Sequence, residues 1–481
     1  MTDYYRLKDK YILRGWKELP YAIVDTETNQ LEFIDAEHMN ALNWCDGNIN
    51  ITIPLISDNE RAIIHEYVSR GIVEPCEPGH SISKEQEYRL YPARYVRAVQ
   101  WSITGRCNFK CKHCYLSAST GKYGELSHDT VMNIITQLEA CGIRSVKLTG
   151  GEPLVRSDFW EIVDSLLEHG IRIPQIYSNG ALINEKFIDG LTSRGLNPLI
   201  LISYDGKGWH DWLRGVKGAE EMAERAIKLC ADNGFKVAAD ACLHRHNKHT
   251  IRESVNHLAS LGAFMIRITG VQNAGSWKDN NEADNSLSTD ELFRLYYDYL
   301  PHFFGDDLPV ELWLGAFLIY SNDLNEFYIP GYMEKQNPDD CLCSSRTDMY
   351  ISPEGRVMPC MAMAGTILHD RMPLIQEEGL AQCMNDSFWF NIVNLRVRDY
   401  LAANDECRNC EYLSVCSTGC RASALELSPD NYMAKSPMLC KLIKGGWPER
   451  IISLMKRIKP EAECRNLKKN DEKEKGGSIN E

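Results

Sequence analysis

Eighteen cysteines in 481 residues are too many to be incidental, and their spacing is uneven. Cys107, Cys111 and Cys114 fall within GRCNFKCKHCY; a second set holds Cys343 and Cys360 with Cys341 just upstream; a third runs Cys407, Cys410, Cys416, Cys420 and Cys440. Three thiols in eight residues is an awkward count, because a structural zinc usually takes four ligands, disulfides need pairs and a nucleophile needs one. Three thiolates so close can hold three irons of a four-iron cubane and leave the fourth iron for a ligand that is not protein. The question posed by the chain is what fills that place.

The elements around the loop narrow the answer. Strand-like runs occur at VRAVQWSIT, SVKLT, PQIYS, PLILISY, KVAADACL and FMIRIT. Between them lie five capped helical patterns, each closing at a glycine (Gly142, Gly170, Gly195, Gly234 and Gly262), and a sixth follows the last strand. Six βα units in a row predict an α/β fold, a partial (β/α)6 barrel two units short of the eight-stranded form, with its chemistry on the loops leaving the C-terminal strand ends. The cysteine loop is the first of these. LTGGEP (Gly150, Gly151, Glu152) follows the second strand, YSNG (Ser178, Asn179) the third and SYDG (Ser203, Asp205) the fourth, while Arg267 ends the sixth. A strand-end diglycine can expose backbone to a ligand and Glu152 can accept from an ammonium. Asn-Gly and Asp-Gly are also favoured turn pairs, and Arg267 suits either a bidentate carboxylate contact or a structural place inside the barrel.

The C-x3-C-x2-C loop at the end of strand one, with GGEP one βα unit later, resembles radical SAM enzymes. That resemblance implies a [4Fe–4S] cluster on Cys107, Cys111 and Cys114, whose open iron is chelated by S-adenosylmethionine, and a 5′-deoxyadenosyl radical that abstracts hydrogen. It assigns the GGE motif to the methionine amino group and the polar strand ends Ser178, Asn179, Ser203, Asp205 and Arg267 to the rest of the cofactor. His113 stands where many relatives carry an aromatic, a departure that weakens any adenine contact there. The later cysteines resemble SPASM domains, which hold two auxiliary [4Fe–4S] clusters. By that resemblance Cys343, Cys360 and Cys420 serve one cluster and Cys407, Cys410, Cys416 and Cys440 the other. Cys341 is the nearest candidate for the ligand the first lacks, and an iron left open to a substrate thiolate is the alternative. Cys45, Cys76, Cys141, Cys230, Cys242, Cys383 and Cys464 show no such spacing and read as small hydrophobes.

Residues 1–85 read as a separate winged-helix-like module, with two strands in PYAIVDTETNQLEFID and two helices, the second opening at Ser57 and closing at Gly71. With 14 acidic against 7 basic residues over positions 1–83, and a formal net charge of −14 overall, it does not suit nucleic acid. Before a radical SAM core at 95–305 and a SPASM domain at 335–450, the module resembles the leader-binding element of ribosomal peptide maturases. The expected partners are then a precursor peptide bound through its leader and an external electron donor such as flavodoxin or ferredoxin. The expected reaction is a thioether or carbon–carbon cross-link, with peptide epimerisation, formylglycine formation on a sulfatase and an iron–sulfur scaffold or electron carrier as alternatives. Sulfatase maturases carry an aspartate after the cysteine matched by Cys360, and here that residue is Met361. With no signal peptide and no long apolar run, a cytoplasmic protein is expected, away from membranes. The charged stretch 456–481 is expected to be a disordered tail.

Overall fold

The computed structural model describes residues 3–333, 337–343, 347–429 and 431–468. The chain opens with strands β1 (Tyr4–Leu7), β2 (Tyr11–Trp16), β3 (Leu19–Asp25) and β4 (Leu31–Phe33). These are followed by helix α1 (Ala36–Asn43), β5 (Asp46–Asn50), helix α2 (Asp58–Ser69), β6 (Val73–Pro75) and β7 (Arg89–Leu90). They form two small sheets, ordered β5-β1-β6 and β4-β3-β2-β7. The β3–β4 hairpin and both helices occur where the sequence places them; α2 opens on a reciprocal Ser57–Glu60 capping box. β1, β2, β5 and β6 are additions. Their alternation is broken by arginines that turn inward and find partners: Arg6 pairs with Glu74, and Arg14 donates to the carbonyls of Leu13, Glu85 and Glu87.

The core is one open sheet ordered β18-β17-β8-β9-β10-β11-β12-β13-β14-β15-β16-β19. Its middle is β8 (Ala98–Ser102), β9 (Val146–Thr149), β10 (Gln175–Ser178), β11 (Leu199–Ser203), β12 (Val237–Leu243) and β13 (Met265–Gly270), all parallel. The helices are α3 (His128–Ala140), α4 (Phe159–Glu168), α5 (Glu185–Thr192), the one-turn α6 (His210–Arg214), α7 (Ala219–Asp232), α8 (Ile251–Ser260), the short α9 (Gly275–Asp279) and α10 (Thr289–Gly305). The five helix-closing glycines all lie in the left-handed region, φ +65° to +92°. A seventh parallel strand, β14 (Glu311–Leu314), follows α10, and a hairpin of β15 (Leu318–Ser321) and β16 (Glu326–Tyr328) extends that edge. At the other edge β17 (Asp348–Ile351) lies parallel to β8 and turns back as β18 (Val357–Met358), carrying the C-terminal part of the chain to the first barrel strand. The two edges do not meet, so the barrel stays open. Among the described residues no helix is long and apolar enough to cross a membrane.

The expected disordered tail needs correction for its first part. The helix Trp447–Ile458 runs into it, and β19 (Glu463–Cys464) pairs with β16. Asn466, 3% exposed, accepts from Ile329 N at 2.8 Å and donates to the carbonyls of Ile329 (3.0 Å) and Tyr332 (2.7 Å). Its high charge conceals a strand of two residues and a single buried amide. Residues 469–481 lie outside the described residues. Asn466→Ala leaves three backbone groups short of partners and is expected to cost about 3 kcal/mol, read as a lowered denaturation midpoint of the apoprotein.

Candidate active site

The three cysteines sit on the loop from β8 to α3, and each sulfur faces its own N–H donor. Phe109 N lies 3.4 Å from Cys107 Sγ, Ala118 N 3.4 Å from Cys114 Sγ, and Arg214 Nη1 3.8 Å from Cys111 Sγ. Burial pushes the Cys107 thiol up to about 12, and burial likewise raises Cys111, so neither gives up its proton without a cation to replace it. At least one N–H per sulfur fits metal-bound thiolates, as an iron–sulfur cluster requires.

GGE supports this loop from below. Gly151 N donates to Thr104 O (2.8 Å) and Glu152 N to Arg106 O (2.9 Å), so these amides are spent on the chain. A Cβ on Gly151 would stand 2.1 Å from Arg106 O, and one on Gly150 2.7 Å from Thr104 O. The glycines therefore permit close approach of two backbones. Gly151→Ala is expected to displace the loop and reduce iron incorporation by more than half while leaving helical content intact, measured by iron analysis and circular dichroism.

Glu152 is fully buried and its carboxylate is filled by Ser178 Oγ (3.1 and 3.2 Å), Asn179 N (2.7 Å) and Leu154 N (3.2 Å). Burial pushes it up to about 7 against those hydrogen bonds. It ties β9 to β10 through three donors, the one hydroxyl proton of Ser178 and two backbone N–H groups. Asn179 carries the tie on to the cysteines, its Nδ2 lying 2.7 Å from Asn108 Oδ1 and 3.8 Å from Cys107 Sγ.

Asp205 is not on an exposed rim. It is fully buried and receives Arg214 Nε (2.5 Å), Arg214 Nη2 (3.0 Å) and Cys242 N (3.0 Å). Burial alone would raise its carboxyl, but Arg214 and His210 hold it well below the usual range. His210 and Arg214 stand four residues apart on α6 and turn to the same side. Ligating atoms of His113, Asp205 and Cys242 lie within 4.8 Å of one another; with Arg214 clamped on Asp205, the group reads as an ion-pair network behind the loop. Arg267, read from the sequence as either a cofactor contact or a structural arginine, pairs through Nε (2.7 Å) and Nη2 with Asp240, its register neighbour on β12. The half-buried Ser203 makes no side-chain hydrogen bond among the described residues, which leaves its hydroxyl available at the end of β11.

The radical SAM superfamily profile matches residues 101–258, the span from β8 to α8 that carries this loop and its supports. This span is a radical SAM domain. The chain is 26% identical over 367 residues to an AdoMet-dependent heme synthase of Nitratidesulfovibrio vulgaris, covering 71% of this chain and 91% of that protein. It is 25% identical over 340 residues to a PqqA peptide cyclase of Bradyrhizobium diazoefficiens, covering 69% and 83%. Streptococcus suis SuiB, solved with its precursor peptide SuiA, shares the fold with TM-score 0.60 over 90% of this chain and 99% of that one, at 14% identity.

Beyond the radical SAM domain the remaining cysteines gather in two places. Cys407, Cys410, Cys416 and Cys440 line one cavity together with Tyr400, Leu439 and Lys444. Burial, with the neighbouring Cys440, Cys407 and Cys410, pushes Cys416 up to about 11, and Tyr400 Oη lies 3.1 Å from Cys407 Sγ. In the other place, burial and then Cys420 and Cys343 push Cys360 up to about 12, and all three sulfurs bear on the buried hydroxyl of Tyr432. Cys341 Sγ lies 3.2 Å from Arg396 Nη1. Of the cysteines without spacing, Cys45, Cys76, Cys141, Cys230 and Cys383 are buried and Cys242 and Cys464 half-buried.

Proposed function

We propose that this radical SAM enzyme modifies a ribosomally made precursor peptide, holding the leader on its N-terminal module and forming a thioether or carbon–carbon cross-link in the core peptide. The observation that carries the reading is the module itself. Among the described residues, nine large apolar side chains are exposed, and five of them, Leu19, Phe33, Ile53, Leu55 and Leu90, belong to the first 90 residues. Phe33 lies on β4, which among the described residues pairs only with β3 and leaves its other edge open to an added peptide strand. The SuiB fold match, at 90% of the chain, extends into this module, and the PqqA peptide cyclase relative supports a peptide as substrate.

Cys107, Cys111 and Cys114 would hold the [4Fe–4S] cluster, with Ser203 and the lumen facing it as the cofactor's bed. Bound there, cluster and S-adenosylmethionine supply a carbon-centred radical that removes one hydrogen atom from the peptide. The chain holds the loop through Asn179, Arg214 and the GGE backbone, and the leader's binding energy keeps the core peptide in place. Bond formation then releases a proton from the attacking group and one electron. The two C-terminal cysteine groups would hold auxiliary [4Fe–4S] clusters that take this electron, for a net loss of two hydrogens.

The test is anaerobic reconstitution with reductant, S-adenosylmethionine and precursors encoded beside the gene. The expected product is about two mass units lighter and depends on residues 1–85; cofactor turnover without mass change on any such precursor overturns the cross-linking reading. Deuterium uptake from solvent without that loss would mark an epimerase. Met361, which begins a one-turn helix after Cys360 and whose Sδ lies 3.6 Å from Gln100 Nε2, offers no carboxylate for the sulfatase-type reaction.

A further inference from the structure

Arg214 has no place in the sequence motifs, yet the structure builds a site for it. It is 9% exposed, and its guanidinium forks onto Asp205 through Nε (2.5 Å) and Nη2 (3.0 Å) while Nη1 turns to Cys111 Sγ at 3.8 Å. Its backbone is locked to the same loop. Lys110 N donates to Arg214 O (3.2 Å), Lys112 N donates to Leu213 O (2.8 Å), and a Cβ on Gly215 would stand 2.5 Å from Lys110 O. Asp205 is fixed in turn by Cys242 N (3.0 Å), and its own N donates to His210 Nδ1 (2.9 Å). The donors to the other two sulfurs are neutral amides, the backbone N–H groups of Phe109 and Ala118 and the side chain of Asn179. The nearby Lys112 is drawn away to Glu282 at 3.0 Å.

We infer that Arg214 is a positioning residue that sets how readily the cluster at Cys111 accepts its electron, and that Asp205 limits this effect as a buried counter-charge. Reduction adds one negative charge to a site already carrying three thiolates, and a buried cation with an N–H directed at one sulfur favours the reduced form. The partly cancelling carboxylate holds the potential low enough for the electron to be passed on to a bound cofactor. This step rests on Cys111 being a ligand, and is independent of which substrate the enzyme takes.

The experiment is an EPR-monitored reductive titration of the reconstituted full chain, following the signal that S-adenosylmethionine perturbs. Arg214→Met is expected to lower the reduced-to-oxidised ratio at a fixed potential about tenfold, or about 59 mV for a one-electron couple. Arg214→Lys should fall between it and the parent, and Asp205→Asn should shift the opposite way. A titration of Arg214→Met that overlays the parent overturns the inference, as do shifts of one sign in all three variants. Should Arg214→Met assemble no cluster, the parent protein carrying 15N-guanidino arginine decides: a 15N coupling to the perturbed signal supports the contact and its absence overturns it. Cys111→Ala should abolish that signal, and its survival would refute the ligand assignment separately from any result at Arg214.

Discussion

Replacing Cys107, Cys111 and Cys114 together by Ala is expected to reduce S-adenosylmethionine cleavage to background while leaving most of the iron. On the proposed complement of three four-iron clusters the content falls from about 12 to about 8 per chain. The loop's construction is the reason for expecting a complete loss. Each sulfur has at least one N–H donor, and those at Phe109 and Ala118 are backbone amides fixed by the turn. Burial raises the thiols of both Cys107 and Cys111, so metal binding displaces protons and stabilises the loop as it loads. Glu152 and Asp205 are both held by neighbours and fixed in place, so neither replaces the three thiolates as an anchor. Iron that stays bound at the distant cysteines, without cofactor cleavage, distinguishes an enzyme from a bare iron–sulfur carrier. Cleavage that persists in the triple variant refutes the site.

What the sequence could disclose was local. The six βα units are legible because each helix is capped and closes on a glycine whose left-handed conformation is required at that point. The order of cysteine loop, GGE and polar strand ends is equally local. What each polar residue touches is not. Asp205 looks like a turn aspartate because its partner sits nine positions on, on a one-turn helix whose only signal is the spacing of His210 and Arg214. Arg267 meets Asp240 because two parallel strands adopt one register, Asp240 opposite Arg267, and no local pattern encodes that. Gly150 and Gly151 are explained by a backbone that arrives from the preceding unit. In the N-terminal module, Arg6 and Arg14 hide two strands by placing charge where alternation calls for apolar residues, and the partners that make this tolerable are 68 to 73 residues away.

Replacing Cys416 and Cys440 together by Ala carries the second large expected effect: about four irons lost per chain, cofactor cleavage within about twofold of the parent because distant sites act independently, and peptide product at background. The separation of functions follows from how this part of the chain is attached. Cys416 is tethered through Met333 N to Val415 O (2.8 Å) and Ser417 N to Gly331 O (3.1 Å), beyond the β15–β16 hairpin. Cys440 rides on the helix Pro437–Lys444, which packs on α10 and so faces the far edge of the sheet from β8. Loosening this group therefore leaves the cysteine loop, Arg214 and Asn179 in place. A hydrogen atom can then still be removed from the peptide, but the electron left after bond formation has lost an acceptor, and the substrate radical is quenched instead of closed into a cross-link. Deoxyadenosine and cross-linked peptide quantified in the same reaction decide the matter. Product formed in parental yield by protein lacking those four irons would exclude this group from the electron's path and leave the cysteines at 343, 360 and 420 as the proposed acceptor's site.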